Sequence, residues 1–150
     1  MSIDKTAWGD GPWQDEPDDE QYQLDGYDCR IRRMEHTGHL NGYVRIPKEH
    51  PWFEQDYGDL PLEVHGGLTF AAHGWFDTPD RAAAEWWIGF DCHHLHDFAP
   101  AYALRMAALG VPDLATQITG LDTTYKTAEY VRGEIASLVA QIKAAEGVKP

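Results

Sequence analysis

Apolar and polar side chains alternate from Tyr27 onward, with Tyr27, Cys29 and Ile31 on one side and Asp28, Arg30 and Arg32 on the other. That is the period of a half-buried strand. A second short strand follows at Tyr43 to Ile46, and Asn41-Gly42 between the two predicts a hairpin turn, because both residue types tolerate positive φ. Pro47 and Pro51 end that strand. The stretch 48–61, KEHPWFEQDYGDLP, mixes turn formers with Trp52, Phe53 and Tyr57, which predicts an ordered excursion pinned by its aromatic rings. Leu62 to Ala72 reads as two extended pieces hinged at Gly66-Gly67. Glu85 to Asp91, EWWIGFD, is the clearest strand. Trp86, Ile88 and Phe90 share one face and Trp87, Gly89 and Asp91 the other, so both faces are covered and a central position is expected. The connection from His73 to Ala84 carries Gly74, Pro79 and Asp80 and is expected to cross the surface as a loop.

The period then changes. Ala101 to Leu109 predicts a short helix that stops at Gly110, with Pro112 marking the break. Thr123 or Thr124 is expected to cap a longer final helix, in which Ala128, Val131, Ile135, Leu138 and Ile142 recur at spacings of three and four. That stripe is the face expected to cover the sheet. Strands first and helices last define an α+β fold: a small antiparallel sheet of about four or five strands, of mixed length, under a long C-terminal helix and one shorter helix.

At 150 residues the chain is long enough for one domain that buries most of its apolar surface without staples. Residues 1–21 are expected to form an acidic flexible tail, and 22–150 the single α+β domain. The run DGPWQDEPDDE carries two prolines and six acids, a composition that builds no core of its own. Trp8 and Trp13 cut against pure disorder and predict docking of the tail on its own domain or on a partner.

Charge changes the picture more than length does. A formal charge of −13, from 25 acidic against 12 basic residues, repels nucleic acid phosphates and anionic membrane surfaces. Direct nucleic acid binding and membrane association are therefore not expected; the same field suits a basic protein partner or serves solubility alone. No run approaches the roughly 20 apolar residues of a membrane span. Cys29 and Cys92 stand far apart with no apolar leader after Met1, which predicts a cytoplasmic protein without a disulfide framework.

The segment GFDCHHLHDFAP places Asp91, Cys92, His93, His94, His96 and Asp97 within seven consecutive positions after the central strand. His65, before the Gly66-Gly67 hinge, comes near them if the two extended segments pair. Three chemistries follow. Asp91, His94 and Asp97 with His65 form a candidate metal site, since imidazole with carboxylate suits zinc, manganese or iron and leaves room for a water, with Glu63 or Asp97 as a base. Cys92 is a candidate nucleophile with His65 or His94 as its base. The structural alternative is that Asp91, His94 and Asp97 bond one another and the backbone and cap the helix that begins near Pro100. Elsewhere, Arg30, Arg32 and Arg33 make the local positive patch, an anion site or a set of partners for the many acids. Gly66-Gly67 is too short for a phosphate loop.

The strings NGYVRIPKEHPWF, VHGGLTF, WWIGFDCHHLHD and YKTAEYV, between Cys29 and Leu138, resemble an uncharacterised family of small proteins from bacteriophages and prophage regions. The resemblance brings no known activity. It implies recurring polar positions at His50, His65, Asp91, Cys92, His94 and Asp97, while His93 and His96 depart from the pattern. It also implies two kinds of function. One is an accessory or counter-defence protein that binds a host protein, the expectation that the acidity and aromatic richness favour. The other is a small metal-dependent hydrolase or nucleotide-processing enzyme working through the cluster of His65, Asp91, His94 and Asp97.

Overall fold

The computed structural model describes residues 3–75, 84–110 and 124–147. Five strands, β1 (Asp19–Leu24), β2 (Tyr27–Arg33), β3 (Leu40–Ile46), β4 (Phe70–His73) and β5 (Trp86–Asp91), form one sheet in the order β1-β2-β3-β5-β4. Every neighbouring pair is antiparallel. Two helices follow, α1 (Pro100–Ala108) and α2 (Ala128–Ala144). The fold is α+β, with β5 inside the sheet as its two-sided apolar pattern requires.

The hairpin signal at Asn41-Gly42 is not a turn. Both residues lie within β3, where Asn41 pairs with Arg32 and Gly42 with Ile31. Glycine is needed at 42 for packing: a Cβ there would stand 2.6 Å from Phe90 Cζ and 3.0 Å from Val131 Cγ1. On the opposite face, a Cβ at Gly89 would stand 2.4 Å from Tyr43 Cδ1. Each glycine is thus a seat for an aromatic ring on the neighbouring strand. The chain reverses instead at 34–39, where Gly38 N–H donates to Met34 O at 2.7 Å and Gly38 takes φ +87°. A second hairpin joins β1 to β2 through Asp25-Gly26, both at positive φ, directly after the pair Leu24 and Tyr27.

The predicted apolar stripe of α2 covers one face of the sheet. Val131, Ile135, Leu138, Val139 and Ile142 are fully buried against Cys29, Ile31, Leu40, Val44, Ile46, Ile88 and Phe90. Each such aliphatic side chain contributes about 1.5–3 kcal/mol relative to exposure. The cap is Thr127, whose Oγ1 accepts from Tyr130 N at 3.1 Å, rather than Thr124, and Thr123 lies outside the described residues. His50 is buried under this helix, with Nε2 donating to Ile142 O at 2.7 Å and Nδ1 accepting from Trp52 N at 3.0 Å. The other face carries Tyr43, Trp75 and Trp87, with the guanidinium carbons of Arg30 and Arg32 at 4.7 and 5.5 Å from the Trp75 ring centre.

The acidic N-terminal segment is packed rather than a flexible tail, and its last residues form β1. Ile3 and Trp13 are buried, and Trp13 stacks on Phe98 at 5.9 Å and meets Tyr125 edge-on at 5.1 Å. The acids that composition assigns to a solvated run find specific cations. Asp18 pairs with Arg33 at 2.7 Å and Lys5 at 2.9 Å, Glu16 with Arg33 at 3.2 Å, and Asp19 with Arg30 at 2.6 Å. Glu16 also accepts from Ala128 N at 2.7 Å, placing a carboxylate at the positive end of α2. Arg30 and Arg33 of the positive patch are accordingly engaged by the chain's own carboxylates. The expected loop from His73 to Ala84 falls mostly on 76–83, outside the described residues.

Candidate metal centre

Two turns build the cluster. After β5, Cys92 N donates to Leu40 O at 3.1 Å, and a turn closes with Asp97 N donating to His94 O at 2.9 Å. Phe98 N then donates to Thr124 O at 2.8 Å, while Thr124 N donates to His96 O at 2.8 Å, which ties this turn to the segment entering α2. The other turn is 64–67, closed by Gly67 N donating to Val64 O at 2.9 Å. Gly66 takes φ +66°, and a Cβ there would lie 2.2 Å from His94 Cε1, so the imidazole rests on bare backbone. That close approach sets His65 and His94 on either side of Asp97.

The side chain of Asp97 is 1 % exposed. His65 Nε2 lies 2.8 Å from Asp97 Oδ2, and His94 Nδ1 lies 3.1 Å from the same oxygen. Lys126 Nζ stands 3.1 Å from Oδ1, and His94 N donates to Oδ2 at 3.0 Å. Burial alone would raise the Asp97 carboxyl, but the bonds from His65, His94 N and Lys126 outweigh it together and hold the group below its ordinary value of 3.8. Asp97 is therefore ionised at neutral pH.

Each imidazole has a second partner behind it. His65 Nδ1 is 2.8 Å from Tyr130 Oη, and His94 Nε2 is 3.4 Å from Asp91 Oδ1. One ligand atom each from His65, His94 and Asp97 lies within 4.8 Å of the others. A tetrahedral metal asks for about 3.3 Å between ligand atoms. The two edges from Asp97, 2.8 and 3.1 Å, are near that value.

Of the residues the sequence singled out, His65, His94 and Asp97 converge, and Asp91 stands behind His94 rather than among the ligand atoms. Cys92 does not join them. It is 1 % exposed in the core cluster, and burial, with Asp97 and Asp91 adding to it, pushes its thiol far above the ordinary range. Reactive thiolates need the opposite environment. Asp91, His94 and Asp97 do bond one another and the backbone, as the structural alternative expects, with Asp91 Oδ1 accepting from His93 N at 3.2 Å, but they do not cap α1, because Ala99 precedes that helix and no side chain caps it. Glu63 is exposed and joins Gln141 through its backbone at 2.7 and 2.8 Å, apart from the bonds around Asp97. His93 stacks on His39 at 4.8 Å, and His96 is exposed. Sequence reasoning missed Tyr130 and Lys126, although both stand in the string YKTAEYV. Tyr130 falls one position before Val131 of the apolar stripe, where a helical pattern marks only a surface residue.

Comparison with protein-family models, with curated proteins and with solved structures finds no match to this chain. Among the described residues, no helix is long and apolar enough to cross a membrane.

Proposed function

We propose that this protein binds a divalent transition metal through His65 Nε2, His94 Nδ1 and Asp97, and works as a small metal-dependent hydrolase. The observation that carries the reading is the acceptor behind each imidazole. A metal would be held by His65 Nε2 and His94 Nδ1, and the remaining ring N–H groups, on His65 Nδ1 and His94 Nε2, would then face Tyr130 Oη and Asp91 Oδ1. Such outer partners fix the tautomer and orientation of ligating histidines. Two imidazoles and one carboxylate suit zinc, manganese or iron and leave coordination positions for water, whose pKa a bound metal lowers toward neutrality.

The test is thermal unfolding of chelator-treated protein with and without zinc. Binding to the folded state alone stabilises by about 2.7 kcal/mol at a hundredfold excess over Kd. The expected result is a rise in Tm that saturates with zinc and disappears in His65→Ala. An unchanged Tm at millimolar zinc overturns the reading.

A second reading is carried by the charge of −13: a cytoplasmic accessory protein, of the phage-associated kind its sequence resembles, that docks on a basic host protein. Retention of such a partner at low salt and its release at high salt is the expected result. Retention that salt leaves unchanged contradicts it.

A further inference from the structure

The sheet ends in two edges of unequal character. β4 is four residues long, and His73 at its end is held to Glu54 at 2.9 Å. β1 has six residues, stands first in the sheet order, and runs in unbroken register beside β2 with no proline, lysine or bulge to blunt it. Arg33 N donates to Asp18 O at 2.8 Å, one step beyond the pair of Asp19 and Arg32. Bonded and non-bonded pairs alternate in an antiparallel ladder, so Glu20, Tyr22 and Leu24 bond β2, and the N–H and C=O groups of Asp19, Gln21 and Gln23 point away from it. Those three residues are exposed, and the backbone hydrogen bonds of the described residues include none from another segment to this edge.

We propose that this edge is the interface with a second copy of the chain: β1 pairs antiparallel with its own copy about a two-fold axis at Gln21, joining the two sheets into one. The sequence of β1 selects both the partner and the register. An axis at Gln21 pairs every outward group, with Gln21 opposite Gln21 of the second copy and Asp19 opposite Gln23 of the second copy, while between them Glu20 meets Tyr22. No acid faces an acid. Moving the axis one residue to Glu20 sets the two Glu20 side chains opposite each other, and moving it to Tyr22 sets Asp19 opposite Asp25, besides leaving outward groups unpaired. Like charges directly opposite one another destabilise a strand pair. In a chain of net charge −13, an edge that meets itself without opposing carboxylates is the condition self-association has to satisfy. The helical layer leaves room for it, because α2 packs on β3 and β2 rather than on β1. Tyr22 and Leu24, partly buried on that face, lose exposure on pairing.

Sedimentation of the full-length protein over a concentration series is the first test. Dimer is expected to gain on monomer as salt rises, since two acidic chains repel, the reverse of the salt dependence of a basic partner. Cross-linking then reads the register. Gln21→Cys sets two thiols opposite each other on the axis at a Cα separation of about 5.5 Å, which a disulfide spans, so mild oxidation should give covalent dimer. Gln23→Cys is the control, its two thiols standing about 14 Å apart along the strands, and should stay uncrosslinked. The native Cys29 and Cys92 are buried and do not compete. Gln21→Pro removes an N–H that has no ladder partner in the single chain, a change an edge strand tolerates, and should raise the dimer dissociation constant at least about tenfold. A native protein that stays monomeric at millimolar concentration in high salt overturns the proposal without any variant having to fold. So does a dimer that Gln21→Pro leaves intact, or one in which Gln23→Cys cross-links as readily as Gln21→Cys. None of these readouts involves His65, His94 or Asp97, so the zinc titration and this test fail independently.

Discussion

Two buried charges anchor opposite kinds of structure in this molecule. The side chain of Arg33 is 0 % exposed, and its guanidinium meets Asp18 at 2.7 Å, Tyr125 Oη at 2.8 Å, Gly38 O at 3.0 Å and Glu16 at 3.2 Å. The side chain of Asp97 is 1 % exposed, yet its partners His65 and His94 are themselves 16 % and 34 % exposed. Around Arg33 the partners are the chain's fixed acceptors, and they hold the N-terminal segment, the β2–β3 turn and the approach to α2 together. Around Asp97 the partners are Lys126 and two imidazoles that reach the surface. Burial of a charge therefore does not mark a site by itself; what marks it is whether the groups paired with the charge can still change partners.

The largest effect is expected where the network is closed. Arg33→Met removes the buried cation shared by Glu16 and Asp18, leaving Asp18 with Lys5 alone, and should lower unfolding free energy by about 3–5 kcal/mol, read as a fall in the urea midpoint. A loss below about 1 kcal/mol would show that the N-terminal segment is held by Trp13 and β1 instead.

Acid comes next and separates into two windows. His39 is buried, and desolvation first, then His93, lowers its imidazole from 6.5 to about 4, against smaller opposing effects of Asp91, Asn41 and Asp97. The unfolded chain takes this proton at the higher pH, so the stabilisation is present above 6.5 and is lost as pH falls toward 4. At about 1.4 kcal/mol per pH unit, that loss is about 3 kcal/mol. Asp18 and Asp97 are both held below 3.8, so their contributions persist above that value and disappear only as pH falls beneath it. Urea midpoints measured from pH 7 to 3 should fall first between 6.5 and 4 and again at the acid end. His39→Gln should remove the first fall alone.

The smallest effect is expected at the open cluster. His94→Gln removes a partly exposed ring and should cost metal-free protein within about 1 kcal/mol. It should nonetheless abolish the zinc-dependent rise in Tm. A large loss in the metal-free state would place His94 with Arg33 as a structural group and erase the contrast between the two regions.

Much of the fold was legible in the sequence because strand and helix periods are local. The alternation at Tyr27 to Ile31, the two-sided strand Trp86 to Asp91 and the stripe from Ala128 to Ile142 all lie where the pattern puts them. Asn41-Gly42 misled because a glycine that seats Phe90 looks, in sequence, like a glycine that turns the chain. The N-terminal segment misled because composition counts acids without knowing that Arg33 and Arg30 lie opposite them. Of the cluster, density near Asp97 and the hinge after His65 brought His65, His94 and Asp97 into view. Tyr130 and Lys126 stayed hidden, since they arrive from the first turn of α2 and the segment just before it, some sixty residues beyond His65, and only tertiary packing brings them there.

Anomalous diffraction at the zinc absorption edge, from crystals grown with zinc, tests the central claim most directly. The account predicts one peak about 2.0–2.2 Å from His65 Nε2, His94 Nδ1 and an Asp97 oxygen, with Tyr130 Oη and Asp91 behind the two imidazoles. An empty cluster with His65 and His94 still bonded to Asp97, under zinc concentrations that occupy other surface positions, would contradict it.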